Sequence, residues 1–369
     1  MKINKIALSG FRNFEWEAIE FSDHTNVICG DNAQGKTNLL EAIYLLSGGK
    51  SFRTRMDRDL VGFEYSEAEI LADIFSHERE QTVHIRFCPG QPKKITVNGV
   101  RKNGIELSET VHVVLFCPDD LNIIKDGAQI RRRMMDQAIS QIRPKYASLL
   151  TEFNRLYEQK TRILKDWREK PSLLEALDAF SDGLCRTSAQ MIRYRAAYIA
   201  RLCEEAKRIH EEFSGKGEHL DLCYHTVSTV KDPFASVKEI YYDLCDHQEK
   251  HRQAELESTL CLTGAHKDDV EFLINGISAR SFASQGQTRT AALSVKLAER
   301  EIILQETGEY PILLLDDVLS ELDEKRQSFV LNRIGGGQTL ISCCEDAHIS
   351  ARTGGKIFTV EGGKIRECT

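Results

Sequence analysis

No apolar run in the 369 residues is long enough to cross a bilayer, so no membrane-spanning helix is expected. The first residues, Met1-Lys2-Ile3-Asn4-Lys5-Ile6, lack the apolar core of a secretory signal, and none is expected there. No C-x-x-C pair occurs among the 11 cysteines, and their odd count argues against a disulfide framework; reduced thiols in a cytoplasm are expected. The nearest approach to a metal cluster is Cys245, His247 and His251, with the histidines one helical turn apart, and it reads as a solvated helix face. Proline is scarce, seven in all, and residues 128–213 are almost free of both proline and glycine, which predicts two or three long helices punctuated at Pro144 and Pro171. Sustained a/d heptads are missing from that region, which excludes a long coiled coil. Internal repeats, a helix–turn–helix, a zinc finger and an aromatic stacking platform are missing as well. Any nucleic acid would then be held by shape and backbone, without base readout.

An excess of positive charge is also absent: the net charge is −7. Yet residues 129–201 hold 15 Lys and Arg against 8 Asp and Glu, so this block is +7 and the remainder −14. Such asymmetry points to one lobe with a partner of its own.

What is present most clearly is Gly30-Asp31-Asn32-Ala33-Gln34-Gly35-Lys36-Thr37, a G-x-x-x-x-G-K-T phosphate loop. The apolar Val27-Ile28-Cys29 precedes it, and a helix-like stretch from Asn38 to Leu46 follows. Glycines let backbone N–H groups curl around a phosphate, and the helix N-terminus adds partial positive charge. Lys36 is expected to reach the β- and γ-phosphates, and the Thr37 hydroxyl to hold Mg²⁺. Much later, Ile312-Leu313-Leu314-Leu315 runs into Asp316-Asp317. A buried parallel strand ending there would place Asp316 on the same Mg²⁺, with Asp317 set to orient or deprotonate a water. Ala283-Ser284-Gln285-Gly286-Gln287 opens another long helix, with a hydroxyl and a glycine that make either an N-cap or a second anion site.

Between these motifs the pattern changes twice. Strands are expected from Glu69 to about Val114, with Asn98-Gly99 as a hairpin turn. Pro118-Asp119-Asp120-Leu121 looks like a helix start. A strand over Leu220–Val227 and a helix over Phe234–Gln253 precede a return to α/β character, with a second hairpin at Asn275-Gly276. The expected organisation is a nucleotide lobe from residues 1–127 and 254–369, with a helical lobe, 128–253, inserted in it.

The loop Gly30–Thr37, Ser284-Gln285-Gly286-Gln287, Asp316-Asp317 and Ser320-Glu321-Leu322-Asp323 resemble the Walker A, signature, Walker B and D-loop elements of ABC-type ATPases. More closely, and over nearly its whole length, the chain resembles the bacterial recombination family RecF. The residues that carry this are Phe11-Arg12-Asn13, Asn38–Ile43, Lys50-Ser51-Phe52-Arg53, Pro118–Leu121, Arg131-Arg132-Arg133 and Gly264-Ala265-His266-Lys267-Asp268-Asp269. The resemblance implies an α/β P-loop NTPase head of the ABC type, with an antiparallel β subdomain and an inserted helical lobe. It further implies a head that binds ATP and Mg²⁺, dimerises on ATP, binds gapped or duplex DNA, and works with RecO and RecR to load RecA. Lys36, Asp316 and Asp317 would be catalytic; Gly30–Asn38 and Gln287 would cradle nucleotide; Ser284 and Gly286 would meet the partner's γ-phosphate.

Three departures bear on activity. Ala265 and Lys267 replace the family's Pro and Arg, leaving the role of that run open. Asp317 is one methylene shorter than the usual Glu, and Thr339–Cys344 offers no switch histidine. Cys117 stands near the expected lid glutamine. Together they favour a slow, DNA-stimulated switch over a motor and leave open whether the chain is an enzyme at all. Two other readings stay open, a soluble ABC subunit and a nucleotide-gated scaffold that does not act on DNA. DNA candidates are Arg53, Arg55 and Arg58, Arg131, Arg132 and Arg133, and Arg193, Arg195 and Arg201; of the triplet, spanning nearly one helical turn, at least one should face inward.

Overall fold

The computed structural model describes residues 1–214, 217–344 and 355–368. Contacts divide the chain into two compact units, Met1–Asn122 with Ala292–Thr369, and Ile123–Ala291.

The first unit opens with β1 (Lys2–Phe11), β2 (Phe14–Glu20), β3 (Thr25–Cys29) and α1 (Lys36–Leu45). It continues through β4 (Ala68–Ser76), β5 (Arg79–Phe87), β6 (Lys94–Val97), β7 (Val100–Lys102), α2 (Gly104–Thr110) and β8 (Val113–Phe116). The second unit holds α3 (Ala128–Ile142), α4 (Pro144–Asp166), α5 (Leu174–Ser214), β9 (Leu220–His225) and α6 (Val237–Ser258). To it also belong β10 (Asp269–Ile274), β11 (Ile277–Ser278) and the short α7 (Ala279–Phe282). The helix α8 (Gln285–Thr307) starts in the second unit and ends in the first. The first unit is completed by β12 (Ile312–Asp316), α9 (Glu324–Arg333), β13 (Thr339–Cys343), β14 (Lys356–Glu361) and β15 (Lys364–Cys368).

Two sheets build the first unit. One is antiparallel, in the order β2-β1-β4-β5-β6-β7, and its strands alternate buried and outward residues. The Asn98-Gly99 turn joining β6 to β7 has positive φ at both residues, as a two-residue hairpin requires. The other sheet runs β15-β14-β3-β13-β12-β8, with only the edge pair β14 and β15 antiparallel. β12 and β13 are buried at every residue, which is why they read as unbroken apolar runs. One hydrophobic cluster unites Ile6, Ile70 and Ile85 of the first sheet, Leu39, Leu40 and Ile43 of α1, and Leu314 and Leu340 of the second. α1 is therefore buried on nearly all sides, and its register is fixed by packing.

The second unit is a helical bundle with a small sheet, β11-β10-β9. Its helices are long because residues 128–214 offer few breaks: α5 alone runs 41 residues. This unit extends to Ala291, well past residue 253, where the sequence reading ends the inserted lobe. Long-range pairing is the reason. β10 pairs residue for residue with β9, from Asp269–His225 to Ile274–Leu220. The stretch expected to consist of strands up to Val114 also contains α2, started by a capping box in which Asn103 and Glu106 bond each other's backbone N–H groups. The expected solvated face on α6 needs correction as well. His247 is buried, its Nδ1 is 2.7 Å from Thr263 Oγ1, and its ring stacks on His251 at 3.9 Å. No cluster of three or more His, Cys, Asp or Glu side chains placed to hold a metal ion occurs among the described residues.

Candidate functional site

β3 delivers the chain to Gly30, and the loop that follows needs backbone conformations that side chains resist. Gly30 and Gly35 have φ of 149° and 126°, and an added Cβ would lie 2.4 Å from Val360 O at the first and 2.9 Å from Asn13 Nδ2 at the second. Ala33 is left-handed too, with φ 64°. Gln34 is clamped from outside the motif: its carbonyl accepts from Asn13 Nδ2 at 2.8 Å and Gly363 N at 3.2 Å, and its side chain accepts from Gly362 N at 2.7 Å. Sequence reading missed the role of this β14–β15 turn, although the paired glycines mark it.

α1 begins at Lys36 with no side chain capping its first turn, so its N–H groups remain for an acceptor inside the loop. Lys36 is buried, and its ammonium donates to Gly30 O at 2.7 Å and Asp31 O at 3.1 Å. The neighbouring Thr37 hydroxyl donates to Asp316 Oδ1 at 3.0 Å, across 279 residues of sequence. Asn38, by contrast, is occupied within the unit, donating to Asn13 Oδ1 at 2.8 Å and accepting from Arg53 Nη1 at 2.6 Å. Beneath them the fully buried Glu41 accepts from Arg12 Nε and Nη2, one edge of the guanidinium, at 2.8 Å each, and from the Ser51 hydroxyl.

The end of β12 completes the arrangement. Ser342 on β13 is the register partner of Asp316. Its hydroxyl donates to Asp316 Oδ1 at 2.9 Å and accepts from Asp317 N at 2.8 Å. Burial pushes the Asp316 carboxyl up, against the hydrogen bonds from Ser342 and Thr37 that hold it down. Asp317 turns left-handed, with φ 50°, and its Oδ1 is buried without a hydrogen-bond partner among the described residues. A buried, unpaired carboxylate oxygen costs energy unless something cationic or protic answers it. Hydroxyl and carboxylate oxygens are the donor set a hard divalent cation prefers, so Thr37 and Asp316 fit Mg²⁺. Ser342 is not legible in the sequence, where Thr339–Cys344 stands out only for its lack of a histidine.

The other predicted residues lie elsewhere. Ser284, in the second unit, is exposed and caps α8 reciprocally: Gln287 N donates to Ser284 Oγ at 3.2 Å, and Ser284 N to Gln287 Oε1 at 2.9 Å. Gln287 also reaches Glu218 Oε1 at 2.8 Å. The N-cap reading is thus realised, and the Ser284 hydroxyl proton stays available to a further acceptor. Gly286 lies in the first turn of that helix. Ser320 donates to Asp317 O at 2.6 Å, and Asp323 caps α9. Near the expected lid, Cys117 N donates to Asp120 Oδ2 at 2.9 Å, and burial pushes the Cys117 thiol up to about 12.

The basic candidates separate. Arg53 is partly exposed and tied to Asn38 and Glu41; Arg55 and Arg58 are exposed. Arg131 and Arg195 are withdrawn from any surface role, since both guanidinium groups are buried. Arg131 pairs with Asp269 at 2.6 Å and donates to the Ile123 and Asp126 carbonyls, satisfying the end of the preceding segment. Arg132 is half-buried and donates to Asp268 O at 2.6 Å. Arg133 lies on the outer face of α3, and Arg193 sits over the Phe234 ring at 5.8 Å.

The chain matches the family model for the RecF/RecN/SMC N-terminal domain over residues 2–359. It is 38% identical to the DNA replication and repair protein RecF of Lachnospira eligens over 370 residues, covering 99% of each chain. With RecF of Lactobacillus johnsonii it shares 40% over 355 residues, covering 95% of this chain and 94% of that one. A solved structure of the recombination mediator protein RecF with ATP, from the RecFOR pathway, superposes with a TM-score of 0.91 at 33% identity, covering 100% of this chain and 97% of that one. An Smc head bound to the C-winged helix domain of ScpA superposes at 0.58 and 18% identity, covering 100% and 98% of the two chains, a likeness of fold alone. No described helix is long and apolar enough to cross a membrane. With relatives this similar from end to end and an SMC-like head as its fold, the chain belongs to the RecF family of DNA replication and repair proteins.

Proposed function

We propose that this chain is an ATP-controlled DNA-binding protein of replication and repair, a cytoplasmic recombination mediator. In this reading ATP closes a homodimer on gapped or duplex DNA, which helps RecO and RecR to load RecA. The observation that carries it is the Thr37–Asp316–Ser342–Asp317 network beside the phosphate loop, in a chain that aligns from end to end with RecF proteins.

ATP with Mg²⁺ supplies a triphosphate whose terminal bond can be hydrolysed to ADP and phosphate. The loop N–H groups and the Lys36 ammonium bind and orient the phosphates; Thr37 and Asp316 hold the cation. Asp317 Oδ1 is the acceptor for a proton of the attacking water. Its side chain is a methylene shorter than glutamate, which places that acceptor further from its target and makes hydrolysis slow. Ser284 of a second copy donates its free hydroxyl proton to the γ-phosphate, so bound ATP and dimer closure are the same event. Arg53, Arg55 and Arg58 in the first unit, with Arg133 in the second, are the basic residues we assign to DNA phosphates; Arg131 is spent on the partly exposed Asp269 and Arg195 on the buried Asp268.

Light scattering with ATP and Mg²⁺, and equilibrium binding to gapped, duplex and single-stranded DNA at two salt concentrations, test this reading. A monomer-to-dimer shift and ATP-enhanced, salt-sensitive binding are expected; an unchanged monomer under saturating ATP, Mg²⁺ and DNA would sink it. Ser342→Ala tests the network more finely. It takes a donor from Asp316 and an acceptor from the Asp317 N–H, so single-turnover hydrolysis should slow about tenfold while ATP affinity changes much less. Equal losses in rate and affinity would mean that Ser342 supports the loop as a whole.

A further inference from the structure

Three thiols gather at the phosphate loop and take no part in the chemistry above. The parallel register pairs Cys29, the last residue of β3, with Cys343, the last of β13. Their sulfurs are 3.5 Å apart, and both are buried. Cys344, the next residue, is exposed, and its sulfur lies 3.2 Å from Asn32 Oδ1 and 3.7 Å from Lys36 Nζ. The two strand ends thus present a buried thiol pair under the loop and one accessible thiol against its lysine.

We propose that Cys344 is an oxidation site, at which a small peroxide converts the thiol to a sulfenic acid and weakens the loop's hold on nucleotide. The inference rests on the nucleotide reading of that loop. The Cys344 sulfur attacks one peroxide oxygen, so that an S–O bond forms as the O–O bond breaks. Sulfur loses two electrons and the peroxide gains them; the thiol proton passes to the leaving hydroxide, which departs as water. The Lys36 ammonium stands where it can donate to that leaving oxygen. The buried pair is spared. Both of its sulfurs are buried, and the contact with Cys29 together with burial holds the Cys343 thiol protonated.

The consequence follows from the 3.7 Å separation. An oxygen added to this sulfur comes within hydrogen-bonding reach of Lys36 Nζ and competes with phosphate for it. It also adds bulk beside Asn32, inside the loop. A thiol reductant reverses the change.

The test uses the full chain, hydrogen peroxide and a dimedone label read by mass spectrometry, with ATP binding measured in parallel. Cys344 should be labelled, bound ATP should slow the labelling, and oxidised protein should bind ATP about tenfold more weakly until dithiothreitol restores it. Cys344→Ser should show no peroxide-dependent loss, whereas Cys343→Ser should still be labelled at Cys344. An unlabelled Cys344 would overturn the inference. So would unchanged ATP affinity after labelling, or an equal loss in Cys344→Ser. Untreated protein that fails to bind ATP would instead refute the nucleotide reading, and the inference with it.

Discussion

Lys36→Met should abolish ATP-driven dimerisation, and with it the ATP-dependent gain in DNA affinity, while the protein stays folded. The side chain is buried and its ammonium already spans Gly30 O and Asp31 O, so it is held at the centre of the loop before any ligand arrives. Methionine keeps the stem that fills this space and removes only the charged head. Each hydrogen bond from an ammonium to phosphate is worth about 1.5–3 kcal/mol, so ATP affinity should fall by about one to two orders of magnitude. Turnover should fall further, by about two to three orders of magnitude, because charge on the transferring phosphoryl group would lose a fixed donor. Equilibrium ATP binding, single-turnover hydrolysis and light scattering read the three effects. Wild-type turnover in Lys36→Met would show that hydrolysis happens elsewhere. Asp317→Asn should likewise stop hydrolysis, but with binding and dimerisation kept, which separates the proton acceptor from the phosphate grip.

Arg195→Met should destabilise the second unit by about 3–5 kcal/mol, the usual cost of leaving a buried ion without its partner. Arg195 is buried on α5, and its guanidinium joins Asp136 of α3 at 2.8 Å and Asp268 at 2.6 Å. It also donates to Ala265 O at 2.6 Å and to the Tyr146 hydroxyl at 2.9 Å. Asp268 has no exposure and accepts further bonds from Tyr224 at 2.5 Å and Thr226 at 2.7 Å, while Tyr146 donates to Asp136. Methionine leaves both carboxylates uncompensated and takes a donor from the Tyr146 hydroxyl. Urea denaturation followed by tryptophan fluorescence should register the loss, since Trp167 lies in this unit. The double change Arg195→Met with Asp268→Leu should recover part of it by removing the stranded charge. A single variant as stable as wild type would show that the network contributes nothing net.

That network also explains the run Gly264–Asp269, whose role the sequence left open. Asp268 anchors α5 and β9, Asp269 anchors α3 through Arg131, and Ala265 N donates to Ser188 Oγ at 3.1 Å. The run therefore ties the helical bundle to its small sheet. The bond from Ala265 N is one that the family's Pro could not make, and the other ties run through Ala265 O and the two aspartates, so none of them uses the Lys267 side chain. Arg131 shows the same logic from the other side. Three consecutive arginines cover most of a helical turn, so one had to turn inward, and its partner was decided by tertiary contact.

The phosphate loop, the Asp316-Asp317 strand end and the long helices were legible because each is written in adjacent residues. Glycine spacing sets a loop, an apolar run sets a buried strand, and a lack of breakers sets a helix. Both two-residue hairpins were legible too, since Asn-Gly accepts the positive φ that such turns demand. α2 was within reach through its Asn103–Glu106 box, but seven residues between strands carry too little periodicity to stand out. The boundary of the second unit was out of reach, because it depends on β10 finding β9 more than forty residues earlier.

By itself the sequence determined that this chain has a phosphate loop, a strand ending in two carboxylates, a basic helical stretch and no apolar run long enough for a membrane-spanning helix. Those follow from local sterics and hydrophobicity, which act between neighbours along the chain. Only the tertiary structure decided which arginines are buried in ion pairs and which stay outside. It alone set Ser342 between Asp316 and Asp317, left Asp317 Oδ1 without a partner among the described residues, and laid Cys344 against Lys36. These depend on strand register and packing between segments from 25 to 308 residues apart, where a shift of one residue would turn each strand's side chains to the opposite face of its sheet.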